Sequence, residues 1–493
     1  MFPWISATLV VLVAGTLLTF VAKERARWVA LLTSFAFLLL TGELLTQFHW
    51  CQQLCLSETE TYAWLSVPWL HVDYAVGVDG IALVLILLTA ILLLATVVYS
   101  WNEAKQPGAW FGLVLLTCVG CFGVFVSLDV LLFFLFWEAV LIPMFFMIGY
   151  WGGPRRRYAA LKFFVYTHVA SIVMLVGLLA MVFYSGSTSL DFAALTVSAR
   201  TLAVSTQVVL FVALFFGFGV KFPIVPFHTW LPDAHVEAPT GGSVLLAGLL
   251  LKLGGYGLIR WAVELLPQAV AHVQWLLYAV AFASIIWGSL VSLAQRDLKR
   301  LVAFSSINHM GIVLLAIALY SSVGLVAAVL LMFAHGIVSA LLFMVAGSVH
   351  HSYGTRDIAG VGGMTPRTPV LATTLMAGSL ASLGLPALVS FPAEFAALTA
   401  TWAAIGFWVL VPLGTLVLTA AFYLWAMQRM MFGPPRGITD HVEDVPRHEG
   451  MAMGILVALT VLYGILPFLL VVTIDNSFVA CLPHAAACVV NPP

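Results

Sequence analysis

Charge is what this chain has least of. Of its 493 residues, 20 are lysine or arginine and 21 are aspartate or glutamate, 8% in all, where a soluble domain carries about a quarter. A net charge of −1 gives no sign of a nucleic-acid partner, and none is expected. Cysteine is nearly as scarce, with six residues. Cys118 and Cys121 form a CxxC, but inside an apolar run and without further ligands, so they read as small buried residues rather than half of an iron-sulfur or zinc site. The chain also lacks a nucleophile elbow, a phosphate-cradling glycine loop and a nucleotide-binding pattern. Asp233, His235 and Glu237 fall in a proline-punctuated stretch without metal-ligand spacing, so helix capping is the expected role and no metal is expected. No redox or catalytic centre is therefore expected in this chain, and energy for any transport must come from elsewhere.

What fills the space is hydrocarbon. Hydrophobic residues make up 62% of the chain and the mean hydropathy is +1.08. Apolar runs of about 20 residues, the length that spans a bilayer, recur from end to end. The expected fold is an all-α polytopic membrane protein of about 14 helices, at 3–21, 28–47, 79–100, 108–127, 130–150, 160–184, 206–227, 242–265, 272–294, 301–321, 323–350, 368–404 (interrupted), 407–432 and 451–474. The first run has no basic leader or small-residue cleavage site and reads as a retained span. Basic residues test the threading. Lys23, Arg25 and Arg27, then Lys105, Arg155 to Arg157, Arg296 to Arg300, Arg356 and Arg367, and Arg429 to Arg447 all follow odd-numbered spans, whereas the opposite loops hold essentially only Arg200. By the positive-inside bias both termini lie on the outer side.

Within this apolar chain a few charges stand deep in the runs. Lys221 is followed by Pro223 and Pro226, which remove backbone donors and break the helix. Lys252 lies in LLAGLLLKLGGYGL, far from either end. Charges at such depth cost roughly 2.5 to 3.5 kcal/mol or more, so each points to an ion path. Arg260, nearer the end of its run, is expected to snorkel. Glu138 stands mid-span with Pro143 beyond it and is expected to pair with Lys221, each keeping the other ionised. His168 and His228 are accessory candidates, and Glu43 reads as reaching the nearby interface. The loop from Phe48 to Val78 carries Trp50, Trp64 and Trp69, suited to that interface. It also holds Cys51 and Cys55, and the tail holds Cys481 and Cys488; on the oxidising side these four are candidates for one or two disulfides.

The second half repeats the plan of the first. His309 and His335 occupy successive spans, and SLGLPALVSFPAEF interrupts the twelfth at Pro386 and Pro392 just before Glu394. Glu138 precedes Lys221 by 83 positions and His309 precedes Glu394 by 85. This spacing reads as a duplicated five-helix unit. Because five is odd, the copies are inverted, and matched broken helices mark an ion path at the midplane. The expected divisions are 1–105, three helices and an outer loop; 106–266 and 267–433, the two half-channel repeats; and 434–493, the last helix and tail. Glu138, Lys221, Lys252, His309, His335 and Glu394 form the expected proton relay. Lysine in a low-dielectric site gives up its proton readily, histidine titrates near neutrality, and a buried carboxyl is held protonated more easily.

The segments KFPIVPFHTWLPDAHVEAPTGGSVLLAGLLLKLGGYGLIR, FWEAVLIPMFFMIGYWGG, INHMGIVLLAIA and AHGIVSALLF resemble the antiporter-like M (mitochondrial subunit 4) family of proton-pumping NADH:quinone oxidoreductase, respiratory complex I. The resemblance runs from the third span to the thirteenth. It implies inverted five-helix repeats, a place in the membrane arm between two sister antiporter-like subunits and small membrane subunits, and NAD, FMN, iron-sulfur clusters and quinone held by partner chains. It implies a prokaryotic inner membrane. By position, Glu138 and Lys221 are the charged pair, Lys252 the central lysine, His309 and His335 the connecting histidines, and Glu394 the acid replacing a lysine of the sister subunits. Two features depart from the pattern: Pro392 and Ala393 stand before Glu394, where a stiffened break is expected, and His168 replaces a common glutamine. The short tail, without a long lateral helix, differs from the distal sister. Subunits of cation/proton antiporters share the fold and lysines, hydrogenase- or ferredoxin-linked relatives differ in other chains, and a passive scaffold has no use for six buried ionisable groups.

Overall fold

The computed structural model describes residues 2–48, 56–67, 70–103, 105–436 and 442–475. The chain begins with α1 (Trp4–Val21) and α2 (Ala26–Gln47), then a hairpin of β1 (Ser57–Val67) and β2 (Leu70–Val78). Next come α3 (Gly80–Tyr99), α4 (Pro107–Val126), α5 (Val130–Ala139), α6 (Leu141–Trp151), α7 (Arg156–Ser185), the short α8 (Phe192–Ser198), α9 (Val204–Lys221) and α10 (Trp230–Glu237). A long irregular helix follows, with α11 (Thr240–Leu245) and α12 (Leu251–Gly257) joined and extended by π-helical turns at Leu246–Leu250 and Leu258–Val263. The second half holds α13 (Pro267–Leu293), α14 (Leu298–Ala318), α15 (Ser322–Tyr353), α16 (Met364–Arg367), α17 (Pro369–Ser382), α18 (Ser390–Ile405), α19 (Leu410–Met431), α20 (Arg447–Ile465) and α21 (Phe468–Asp475).

Among the described residues, 13 helices are long and apolar enough to cross a membrane. The expected fourteen differ at the twelfth. Its first half, α17, has 14 residues, and its second half, α18, runs through a turn at Gly406 into α19. The expected fifth span is also two pieces. Proline at 143 has no N–H to return to the carbonyl of Ala139, one turn back, and the helix is interrupted at Val140. The stretch between the second and third spans, expected as irregular outer loop, is an antiparallel hairpin pairing Ser57 with Val78 and Thr61 with Ala75. The Thr, Tyr, Trp and Val content of SETETYAWLSV suits a strand, and Glu60 ties it to the bundle by accepting from Ile5 N at 2.9 Å. Trp64 on that strand is exposed. Trp50, Trp69, Cys51, Cys55, Cys481 and Cys488 lie outside the described residues.

The helices containing Lys252, His309 and His335 are the centre of the bundle: the apolar windows of 240–263 and α14 are wholly buried, and that of α15 nearly so. Helices α1, α2, α7, α13 and α19 surround them and show large apolar side chains outward, such as Leu17, Leu32, Val176, Trp275 and Val417, as lipid-facing surfaces do. Cys118 and Cys121 are free and buried. Glu43 is half-buried one turn from the end of α2, held by Gln47 Nε2 at 2.8 Å. Loops that follow odd spans meet at one end, where residues of 99–103, 151–154, 236–241 and 347–356 line a common cleft. Loops that follow even spans meet at the other, where Leu128 N bonds Ala75 O at 2.9 Å and Phe192 N bonds Leu128 O at 2.7 Å. The alternation read from the basic residues is thus physically realised.

A line of ionisable groups across the bundle

Each break in a helix leaves carbonyls without their usual donors, and the ionisable groups collect at such places. At the end of α9, Pro223 cannot donate to Gly219 O, and Ile224 N does so instead at 3.2 Å. Val220 O accepts from the indole of Trp230 at 2.9 Å. Lys221, 2% exposed, points across to α5, where its ammonium donates to Trp137 O at 3.1 Å and lies 3.8 Å from the Trp137 ring centroid. Ser171 fixes that ring by accepting its N–H at 2.9 Å. A cation on an indole face is a strong arrangement away from water.

Glu138, the residue after Trp137, lies within electrostatic reach of Lys221 but not in contact with it. Among the described residues its ion pair is with His168, whose Nδ1 lies 2.8 Å from Glu138 Oε2; Glu138 Oε1 is buried without a hydrogen bond. The expected Glu138 to Lys221 pair is therefore an adjacency, and His168, expected as accessory, is the direct contact. The pair is open sideways, with 40% of the His168 side chain and 21% of the Glu138 side chain exposed. His228 stands apart from it. Trp287 Nε1 donates to His228 Nε2 at 3.0 Å, which makes that nitrogen an acceptor and the ring neutral.

The second cluster is continuous. Lys252 is fully buried between the two π-helical turns, where the register shift supplies Ala247 O as an acceptor at 2.5 Å; such turns recur at functional positions. Its ammonium lies 2.7 Å from His335 Nδ1, so the two nitrogens share one hydrogen between them. The rings of His335 and His309 are 5.4 Å apart, and His309 Nε2 is 3.7 Å from Glu394 Oε1. His309 meets a carbonyl at each nitrogen, Ser305 O at 2.8 Å and Ser382 O at 3.1 Å. A neutral ring can donate to only one of them. Ser382 O is free because residue 386, one turn on, is proline.

Around these rings a small cavity is lined by Ser305, Ser339, Ser382, Ser390 and Tyr423, polar enough to hold water. Glu394 is buried beside Gly384, whose φ of 75° and missing side chain leave room for its carboxylate. Pro392, expected to stiffen the interruption, lies past it, within α18. It is the third residue of α18, in the first turn, where a missing N–H costs nothing. No hydrogen bond joins Lys221 directly to Lys252 among the described residues; their helices touch where Gly254 admits Phe218 and Phe222.

Several buried groups escaped the sequence reading. Arg260 does not snorkel: it is 2% exposed and paired with both Asp79 and Glu264. Lys299, counted with the loop cations, turns inward and donates to Ala238 O at 2.5 Å. His235 is fully buried against Phe343, ring centroids 4.3 Å apart, with neither nitrogen hydrogen-bonded, and lies within electrostatic reach of Lys299 and Lys252. A histidine so placed is no helix cap. Its neighbour Asp233 is held by Lys162 at 2.6 Å. Among the described residues, no group of three or more His, Cys, Asp or Glu could hold a metal. At the far end, outside the spans, Asp129 and Asp191 cap α5 and α8; burial raises both carboxyls above their ordinary range despite the backbone N–H groups they accept.

A polytopic bundle with broken helices and a buried line of Lys, His and Glu defines an ion-translocating membrane subunit of antiporter type. The chain matches the family described as NADH:quinone oxidoreductase/Mrp antiporter, TM, over residues 127–419, and it belongs to that family. It is 40% identical to F(420)H(2) dehydrogenase subunit M of Methanosarcina mazei over 83% of each chain. It is 37% identical to NADH-quinone oxidoreductase subunit M of Rhodobacter capsulatus, over 91% of this chain and 88% of that one. Among solved structures, a chain of respiratory complex I from Thermus thermophilus with bound NADH superposes with a TM-score of 0.87 at 26% identity, over 97% of this chain and 99% of that one. A chain of the Mrp complex from Dietzia sp. has the same TM-score at 19% identity, over 99% of each chain, and shares the fold.

Proposed function

We propose that this chain is a proton-translocating subunit in the membrane arm of an NADH:quinone oxidoreductase, driven by electron transfer in other subunits. The observation that carries the reading is the unbroken sequence of contacts Lys252, His335, His309, Glu394, buried at the centre of a family member. Each contact is between groups that exchange protons, and the two ends of the line, Lys252 beside π-helical turns and Glu394 beside the Ser382 break, lie at helix irregularities. The relay begins at Lys221. Movement of Glu138 toward or away from it changes how tightly the ammonium holds its proton, and His168 competes for the same carboxylate. A proton passed to Lys252 continues through His335 and His309 to Glu394 and the far side.

In this reading 106–266 and 267–433 are the two half-channels. The membrane is a prokaryotic inner membrane with both termini outside, and NAD, FMN, iron-sulfur clusters and quinone belong to partner chains. Similarity to a dehydrogenase subunit at 40% identity leaves the electron donor to the partner that binds it. Gentle extraction followed by native mass spectrometry tests the assignment. Co-migration with NADH-oxidising flavin and iron-sulfur subunits is expected. Recovery with antiporter subunits alone would move the function to gradient-driven exchange.

A further inference from the structure

Three arginines in a row, Arg155, Arg156 and Arg157, lead into α7 at the end of the bundle that carries the basic loops. With Gly153, Pro154 and Tyr158 they line an open cleft of about 760 Å³. The loop that bears them is fixed from behind by Glu237 of α10, whose backbone oxygen accepts from Gly153 N and whose Oε2 accepts from Arg155 N, each at 2.8 Å. The same carboxylate lies 3.6 Å from Arg155 Nε. One acid thus answers one of three cations. Arg156 reaches Gly152 O at 3.3 Å, and among the described residues neither Arg156 nor Arg157 has an acidic partner. Other cations of this end are met within the chain: Arg27 lies over Trp101, Lys105 lies over Tyr150, and Arg356 is 3.3 Å from Asp297.

Beyond the arginines the surface turns apolar without a gap. Tyr158, Leu161, Val165, Val169, Ile172 and Val176 are exposed, each by 46 to 61%, and their spacing puts them on one face of α7. Ile142, Phe146 and Tyr150 make a second exposed row on α6. Phe145 and Phe164, partly buried with ring centroids 5.5 Å apart, join the two helices. Topology alone asks only for cations in this loop. It does not ask that two of them stand side by side on a fixed backbone, without an acid, at the head of an apolar strip. Adjacent guanidinium groups repel unless an anion lies between them, and their planar donor forks fit a phosphate.

We propose that this face binds an anionic phospholipid, its phosphate held by Arg156 and Arg157 and an acyl chain laid along α7 from Tyr158 toward Val176. Tyr158 belongs to both the cleft and the strip, and its ring, apolar with a polar tip, suits the level where headgroup meets chain. Basic clusters beside a membrane span favour anionic headgroups; a zwitterionic lipid brings its own cation beside the phosphate and gains less. The acyl chain passes His168, 40% exposed and paired with Glu138, and so covers the side on which that pair opens. The inference needs only that this chain spans a bilayer, and it stands or falls apart from the proton path.

Photo-crosslinking in the whole complex tests it. The complex is placed in phosphatidylcholine vesicles with a trace of phosphatidylglycerol carrying a photoactivatable acyl chain or, in parallel, of phosphatidylcholine carrying the same chain. Labelled peptides are identified by mass spectrometry. The phosphatidylglycerol probe is expected to label the 158–176 strip several-fold more than the phosphatidylcholine probe. With Arg156→Gln and Arg157→Gln together, its labelling of the strip should fall to the phosphatidylcholine level, while labelling elsewhere is unchanged. Equal labelling by the two probes in the parent, or a preference that survives the double variant, overturns the site. A preference erased by excess inorganic phosphate means that the cleft takes a free anion, and a strip that neither probe labels is covered by protein; either result overturns the lipid assignment. Should the double variant not assemble, Arg157→Gln alone decides: a reduced preference supports the site, and a parental one refutes it.

Discussion

The two broken helices use the same defect for different ends. At the first, Pro223 and Pro226 end α9 just past Lys221, and the ammonium is held by a carbonyl and an indole face of α5. The acid beside that site, Glu138, leans away to His168, and both are part-open to the lateral surface of the bundle. At the second break, Pro386 frees Ser382 O, which His309 engages, and Glu394 is sealed at 4% exposure with His309 as its near neighbour. One site thus presents a titratable pair to whatever packs alongside; the other closes its pair inside the bundle. In the function proposed above, this difference suits the first site to being influenced from the side and the second to passing a proton on inside the bundle.

That contrast can be broken from either side. The largest effect is expected from Glu394→Gln, which keeps the shape of the sealed site but removes its proton-accepting charge. Translocation through this subunit should fall sharply, by about tenfold or more if no other group replaces it, read as a drop in the proton yield per NADH oxidised with a pH dye in vesicles. An unchanged yield would place release elsewhere. A smaller effect, roughly twofold, is expected from His168→Gln, which leaves Glu138 free to face Lys221. The pumping rate in the same vesicles checks it. A rate identical to the parent's would mean that the His168 contact is structural only.

How much of this was legible in the sequence follows from what each feature depends on. The spans, the alternation of the basic loops and the two breaks rest on local chemistry, namely hydropathy, charge and proline, and the structure places them close to where those signals put them. The partners of the buried charges depend on packing. Glu138 and His168 are 30 positions apart, and only the packing of α7 against α5 makes them meet. Arg260 looked like a snorkelling residue because its partner Asp79 stands 181 positions away in the chain. The π-helical turns around Lys252 leave no signature in a run of Leu, Ala and Gly. His235 was passed over for the company it keeps, a proline-rich acidic loop, although its ring ends buried against Phe343 and within electrostatic reach of two lysines. The hairpin was hidden because neighbouring tryptophans and polar residues resemble an interfacial loop as much as a strand.

The central claim is that the buried line through Lys252 carries protons. Proton translocation per electron pair in vesicles containing the intact complex with Lys252→Ala tests it most directly, with assembly checked by native electrophoresis. The account predicts an assembled complex whose translocation through this subunit is lost, so that the overall yield drops. A complex that assembles and translocates the parental number of protons would contradict it.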